Sequence, residues 1–271
     1  DAAAAPATTA TITVETPRQR AAAFKLAMTQ SAAGARAEVI VRIYVLSRPK
    51  DARAEGDVVL TALVYAPQVA EMMPEADLVW FGGTAARILL AAAPAVASGQ
   101  DYTGRAQAWL DLVRGLAQTA PEANAVNDML WPIRQLAAGG QIARDPLLMW
   151  AAADADALPE LALTRRVLVL SLLAALGDGV TLPDWEPLLT GQAADTAPPV
   201  AAPSVIGWEA LTVAARTRRI GEGTALALQL LHARRPPHAS TFAKAVESLA
   251  ALGRLSDARA IATDLALARG L

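Results

Sequence analysis

The sequence predicts an all-α fold built as a stack of antiparallel helix pairs, and three observations support this prediction. Hydrophobic residues make up 54% of the 271-residue chain and charged residues only 18%, which excludes a natively disordered protein. Alanine, the strongest helix former, is the commonest apolar residue, while aromatic residues make up only 4%. Finally, Pro and Gly interrupt the chain at intervals typical of helix lengths.

The first predicted helix pair covers residues 17–30 and 35–47. Thr16 followed by Pro17 is typical of a helix start, because a proline at the first helical position has no N–H group to lose there. The second helix has one alternative, since residues 38–45 are rich in Val and Ile and could instead form a strand.

Prolines and short polar turns divide the middle of the chain into further helices. Pro67 and Pro94 are interpreted as helix ends, because an interior proline removes a backbone hydrogen bond. The predicted elements are helices at residues 57–66, 75–92, 103–118, 122–138, 145–157 and 159–176, and a helical turn at 185–189.

Composition divides the chain into four regions. Residues 1–15 form an Ala/Pro/Thr tail that is expected to be flexible, and residues 16–190 form a helical-repeat region. Residues 191–204 hold three prolines and one charged residue and are interpreted as a linker or long loop. Residues 205–271 are predicted to form two further helix pairs. Their helices are expected at residues 205–216, 223–232, 241–252 and 256–269.

A short pattern recurs within this last region. Residues 219–225 (RIGEGTA) are echoed by residues 254–260 (RLSDARA), at an offset of 35 residues. Self-similarity at such a period is typical of stacked helix–turn–helix repeats. The earlier copy carries Arg218 where the later one has Gly253.

These residues resemble the tetratricopeptide-repeat family. The stretch 253–258 is similar to that family's Gly-x-aromatic-x-acid-Ala turn, and Phe242 lies near the position of the first-helix anchor. The resemblance implies an α-solenoid, a right-handed superhelix with a concave groove that binds peptides or proteins. It is clearest in residues 205–269.

Packing arguments also favour a stack. Each predicted helix pair is apolar on more than one face, so it buries that surface only against a neighbouring pair. The six tryptophans are expected to anchor the resulting core: Trp80, Trp109, Trp131, Trp150, Trp185 and Trp208.

Charge and residue usage exclude several functional classes. The net charge of −2 gives no general attraction to nucleic acid or to an anionic membrane. There is no cysteine, which removes thiol nucleophiles and Cys-ligated zinc. No uncharged run exceeds 13 residues, whereas a membrane-spanning helix needs about 20, so no transmembrane segment is predicted.

Candidate catalytic groups are few and favour structural roles. His232 and His238 flank an arginine- and proline-rich loop and have no further metal ligands near them in the sequence. Asp154, Asp156 and Glu160 lack the glycine and the spacing of a calcium loop. We therefore expect no catalytic, cofactor-binding or metal site.

Two glycine pairs could in principle cradle a phosphate. Residues 82–84 (GGT) and 221–223 (GEG) both lack the lysine of a P-loop. Tight turns or close helix packing account for both pairs.

The predicted function is a non-catalytic scaffold that binds other proteins. The segment between residues 205 and 240 contains five arginines and two glutamates. This excess of positive charge predicts a basic surface that binds a partner protein or a second copy of the chain. Those arginines are Arg216, Arg218, Arg219, Arg234 and Arg235.

Residue usage and the N-terminal tail predict the source of the chain and its cellular compartment. Arginine supplies 21 of the 24 basic residues, which is typical of a GC-rich bacterial genome, and the Ala/Pro/Thr tail at residues 1–15 favours the periplasm or cell envelope over the cytoplasm. One alternative is a helical accessory domain of a peptidoglycan-acting enzyme whose catalytic part is not in this chain. A weaker one is a helical pocket for a lipid.

Overall fold

The computed structural model describes residues 12–13, 16–47, 58–95, 100–153, 159–181, 183–185, 205–231, 238–269 and 271. Within these ranges the chain forms helices and turns and no strand, which confirms the all-α prediction. The α-helices are α1 (Pro17–Thr29), α2 (Ala33–Ser47), α3 (Val58–Glu71), α4 (Val79–Ala92), α5 (Tyr102–Leu116), α6 (Ala120–Ala138), α7 (Arg144–Ala153), α8 (Pro159–Leu176), α9 (Val205–Arg216), α10 (Ile220–Leu231), α11 (Ala239–Ala251) and α12 (Leu255–Ala268).

Local sequence explains where several helices begin. Thr16 caps α1 as predicted, because its side chain accepts a hydrogen bond from the Gln19 amide while the Gln19 side chain accepts one from the Thr16 amide. Asp101 caps α5 in a similar way, accepting a hydrogen bond from the Gly104 amide at 2.8 Å. Both caps satisfy amide groups that a helix start leaves without a partner.

The structure decides two questions about the first half. Residues 38–45 lie inside α2, which confirms the predicted helix and excludes the alternative strand. The predicted helix end at Pro67 is wrong, because α3 continues through it to Glu71. Burial of Tyr65, Ala66 and Val69 on either side of the proline offsets the lost hydrogen bond.

Helix α4 lies at the centre of the core. It packs against α2, α3, α5, α6 and α12, and is preceded by the 3₁₀ turn Ala76–Leu78 and followed by the 3₁₀ turn Ala93–Ala95. Its side chains at Phe81, Ala85, Ala86, Ile88, Leu89 and Leu90 have no solvent exposure. These apolar side chains are buried by the surrounding helices, and the alanines let those helices approach closely.

The last four helices pack in sequential order. Helices α9 and α10 form one hairpin, α11 and α12 form the next, and α11 contacts both helices of the first hairpin. Helix α12 also contacts α3, α4, α6 and α8, so the end of the chain packs against its middle. The superhelical arrangement of the whole chain stays a prediction.

The 35-residue echo corresponds to two copies of one backbone turn. After α9 the Arg219 amide donates to the Ala214 carbonyl and the Arg218 amide to the Ala215 carbonyl. After α11 the Arg254 amide donates to Leu249 and the Gly253 amide to Ala250. Both are Schellman turns, which require a residue with positive φ.

That residue differs between the two copies. Gly253 has φ +80°, the left-handed conformation that glycine adopts at little cost. Arg218 occupies the same position with φ +54° and is, among the described residues, the one non-glycine with positive φ. The 35-residue echo in the sequence therefore located the turn correctly, although one of its two copies lacks the glycine.

A buried ion pair, which we name the Arg259 clasp, joins the C-terminal hairpin to the middle of the chain. The Arg259 guanidinium on α12 binds both carboxylate oxygens of Asp178, at 2.6 and 3.1 Å, and donates to the Leu136 carbonyl at 3.1 Å. The Asp178 side chain is 3% exposed. Gly139 permits this approach, since a Cβ atom there would lie 2.4 Å from the guanidinium.

The tryptophans have three different environments. Trp109, Trp131 and Trp150 are buried as predicted, and the rings of Trp131 and Trp150 lie 5.9 Å apart. Trp185 and Trp208 are half-buried, and Lys244 lies 5.8 Å from the Trp208 ring. Trp80 is 50% exposed, so the expectation that it anchors the core is wrong.

Candidate functional site

An open groove lies on the surface of α4, within the part of the chain that the structure describes. We name it the Trp80 groove; it encloses about 640 Å³ and is bounded by helices α2, α4, α5 and α6. Its lining consists of Tyr44, Val45, Val79, Trp80, Gly83, Thr84, Arg87, Val113, Leu116, Ala117, Gln118, Val126, Met129 and Leu130.

Large apolar side chains stand at the groove while remaining about half exposed. Val45, Trp80, Leu116 and Met129 are 52%, 50%, 48% and 56% exposed, and each comes from a different helix. Single exposed apolar residues are ordinary on protein surfaces, but several converging on one concavity are typical of a binding site.

Glycines on α4 bring the groove walls together. A Cβ atom at Gly82 would lie 2.6 Å from Val113 Cγ2 on α5, and one at Gly83 would lie 3.2 Å from Val126 Cγ1 on α6. Both glycines lie inside α4, so close helix packing accounts for this pair as expected. A larger residue at either position would push α5 or α6 away from α4.

The groove floor is rigid because the core lies directly beneath it. Phe81 points away from the groove and its ring meets Trp109 edge-on, with centroids 5.5 Å apart. Both side chains are essentially inaccessible to solvent. The exposed Trp80 is therefore displayed on a helix that has little freedom to move.

Polar contacts beside the groove align α5 with α6. The Arg134 guanidinium donates to the Gln107 side chain at 3.3 Å, and Gln107 in turn donates to Asp111 at 2.9 Å. Asp111 also pairs with Arg114 at 3.1 Å. Burial raises the pKa of Asp128, while Arg114 and Arg134 act in the opposite direction.

The predicted basic surface is only partly described. Arg216, Arg218 and Arg219 are exposed at the turn between α9 and α10, and Arg219 pairs with Glu222 at 2.8 Å. None of these three residues lines the Trp80 groove. Arg234 and Arg235 lie outside the described residues.

The other candidate groups do not assemble into a site in the part of the chain that the structure describes. His238 caps α11, with its Nδ1 atom 2.8 Å from the Ser240 hydroxyl. His232, Asp154 and Asp156 lie outside the described residues, as does the side chain of Glu160. No group of three or more His, Cys, Asp or Glu residues is close enough to hold a metal ion within the described ranges.

Sequence inspection did not identify the groove, although one signal was present. Trp80, Gly83, Thr84 and Arg87 follow the spacing i, i+3, i+4 and i+7, so they share one face of α4. That face interrupts an otherwise apolar helix with small and polar residues. A mixed stripe of this kind on a core helix indicates a face that a neighbouring helix does not cover.

Comparisons with known proteins find no counterpart of this chain: no family model, no curated protein and no solved structure matches it. The likeness to tetratricopeptide repeats therefore stays a prediction from the residues.

One helical run among the described residues could cross a membrane by length and composition alone. It is Ala76–Ala95, which comprises α4 and its flanking turns, and 56% of its most apolar window is buried in the protein. Core helices of this kind share the composition of membrane spans. The predicted absence of a transmembrane segment stays a prediction.

Proposed function

We propose that this chain is a non-catalytic protein-interaction module whose Trp80 groove receives apolar side chains of a partner protein. The observation that carries the proposal is the convergence of four half-exposed apolar side chains, from four helices, on one groove with a rigid floor. Aromatic and methionine side chains are enriched where proteins bind each other, and Trp80 and Met129 supply both kinds.

The shape of the groove favours a helical segment as the bound element. The groove runs along the exposed stripe of α4 between α5 and α6, and amphipathic helices bind in such grooves through residues spaced by three, four or seven positions. A single small apolar ligand is the second candidate, because a volume of about 640 Å³ lies within the range of small-molecule pockets.

We propose further that α9–α12 form two tetratricopeptide-like repeats. The repeated Schellman turns and the contacts of α11 with both helices of the preceding hairpin support this. In this arrangement the C-terminal repeats serve as a scaffold for the region that carries the groove. An accessory domain of an envelope enzyme could use the same groove.

Photo-crosslinking tests the proposed function directly. A benzophenone amino acid is placed at Met129 in the groove or, as a matched control, at Leu60, which is 62% exposed on α3 and does not line the groove. In extract of the native host, a protein adduct is expected from position 129, and the change Trp80→Ala should abolish it.

Other outcomes would contradict this function. Equal adducts from positions 129 and 60, or an adduct that survives Trp80→Ala, would show that the groove does not hold the partner. Native mass spectrometry of the purified chain tests the second candidate, since a retained small molecule that Trp80→Ala releases would favour a ligand pocket.

A further inference from the structure

Helix α12 contacts both α4, which forms the floor of the Trp80 groove, and α6, which forms one of its walls. No residue of α12 is among the lining residues that the structure describes. Any influence of α12 on the groove therefore acts through the positions of α4 and α6. Two hydrogen bonds to backbone carbonyl groups join α12 to these two helices.

The first hydrogen bond joins α12 to the end of α6. The Arg259 guanidinium donates to the Leu136 carbonyl at 3.1 Å. Leu136 lies in the last turn of α6, where carbonyl groups have no partner within the helix and a cation is favoured by the helix dipole. It follows the lining residue Leu130 by six positions, so Arg259 holds the helix that carries this groove wall.

The second hydrogen bond joins the end of α12 to α4. The Leu271 amide donates to the Ala266 carbonyl of α12 at 3.2 Å, and the Leu271 side chain is buried. The Leu271 carbonyl accepts a hydrogen bond from the guanidinium of Arg87, which lines the groove. Leu271 thereby connects α12 with a side chain of the groove itself.

These contacts add a support to the direct packing of α4 against α6. The two helices approach closely at Gly83, where a Cβ atom would lie 3.2 Å from Val126 Cγ1. Leu136 lies ten residues beyond Val126, a distance of about 15 Å along α6. Two helices in contact can still differ in the angle between their axes, so a support further along restricts that angle.

We infer that α12 is a brace that fixes the angle between α4 and α6 and therefore the width of the Trp80 groove. Arg259 and Leu271 are its positioning residues. The inference builds on the proposed function, because this groove is the proposed partner site. The C-terminal hairpin thereby determines whether the groove can receive a partner, although α12 does not line it.

Fluorescence quenching across the groove tests the brace without any partner. The chain has no cysteine, so Met129→Cys provides a single site for a bimane label on α6. Tryptophan quenches bimane only at short range, and Trp80 lines the same groove from α4. Comparison with the labelled Trp80→Phe variant isolates the quenching that is due to Trp80. A wider groove reduces this Trp80-dependent quenching.

Variants of the chain separate positioning from a general loss of stability. Arg259→Met removes the bond to α6 and should abolish most of the Trp80-dependent quenching. Arg87→Met removes the bond to Leu271 and should also lower it; this variant decides the question if Arg259→Met does not fold, which circular dichroism shows. Leu211→Ala is the matched control, because it destabilises a buried site on α9, which packs on α10 and α11. This control should leave the quenching unchanged.

The outcomes distinguish the two proposals. Unchanged quenching in either brace variant, once folded, would overturn the inference and leave the proposed function standing. An equal loss in Leu211→Ala would also overturn it, because the effect would then follow from lower stability alone. A loss confined to the brace variants, together with no crosslinked partner at position 129, would retain the brace and contradict the proposed function.

Discussion

Removing the guanidinium of the Arg259 clasp should strongly destabilise the protein. Arg259 on α12 binds Asp178 in the turn after α8. It also binds the Leu136 carbonyl in the last helical turn of α6. These partners are 81 and 123 residues away in sequence. The change Arg259→Met keeps the bulk of the side chain and removes its charge and its hydrogen bonds.

The magnitude follows from burial. Asp178 is 3% exposed and Arg259 is 14% exposed, so the variant leaves a buried carboxylate without its cation. Breaking a buried pair in this way costs about 3–5 kcal/mol, a large fraction of the roughly 5–15 kcal/mol that stabilises an ordinary domain. Asp178→Asn should cost less, because the remaining cation still binds the Leu136 carbonyl. The double variant should cost less than the sum of the two, since the partners interact directly.

Urea unfolding followed by circular dichroism measures these differences. Arg254→Met is the matched control: Arg254 precedes the same helix and pairs with Asp257, but both side chains are about half exposed. That exposed pair should contribute less than about 1 kcal/mol. A loss in Arg259→Met as small as in Arg254→Met would refute the reasoning, as would strictly additive effects of the Arg259 and Asp178 changes.

Three further predictions concern a turn, a titrating group and the core. Arg218→Gly should raise the free energy of unfolding by about 0.5–1 kcal/mol because it relieves a left-handed backbone, while Gly253→Ala at the equivalent turn should lower it by about 1 kcal/mol; urea unfolding compares them. Burial raises the pKa of Tyr65 from 10.0 to about 12, so the folded state binds that proton more tightly. The resulting stability is present below about pH 10 and is lost as pH rises toward 12, and Tyr65→Phe should show a smaller alkaline loss in urea unfolding at pH 9 and 11.5. Trp109→Ala should cost about 3–5 kcal/mol and Trp80→Ala less than about 1 kcal/mol, which thermal unfolding distinguishes; equal losses would contradict the assignment of Trp80 to an exposed groove.

Local patterns predicted the helices well because their causes are local. The Thr16 cap and the hydrogen-bonded turn before Arg254 depend on residues within a few positions of each other. Pro67 shows where this reasoning fails. Its penalty is local, but the burial that offsets it comes from packing against other helices, chiefly α4 and α2, so the sequence pattern placed a helix end where α3 continues.

The candidate site was less accessible to sequence reasoning. A tryptophan is expected in the core, and only the positions of α2, α5 and α6 reveal that the Trp80 side chain faces a groove. Arg216 and Arg219 were predicted to form part of a binding surface because a cluster of charged residues can be recognised from the sequence. Apolar convergence is invisible there, because it depends on which helix faces are left uncovered.

The sequence by itself determined that the chain is helical, where most helices begin, and that one turn recurs after 35 residues. Hydrogen bonds within a helix and at its caps join near neighbours, so short patterns suffice to specify them. Only the tertiary structure decided that α12 packs against α4, that Arg259 meets Asp178, and that four helices leave a groove beside Trp80. Those contacts depend on how closely helix axes approach, and that is fixed by the summed packing of side chains far apart in the chain.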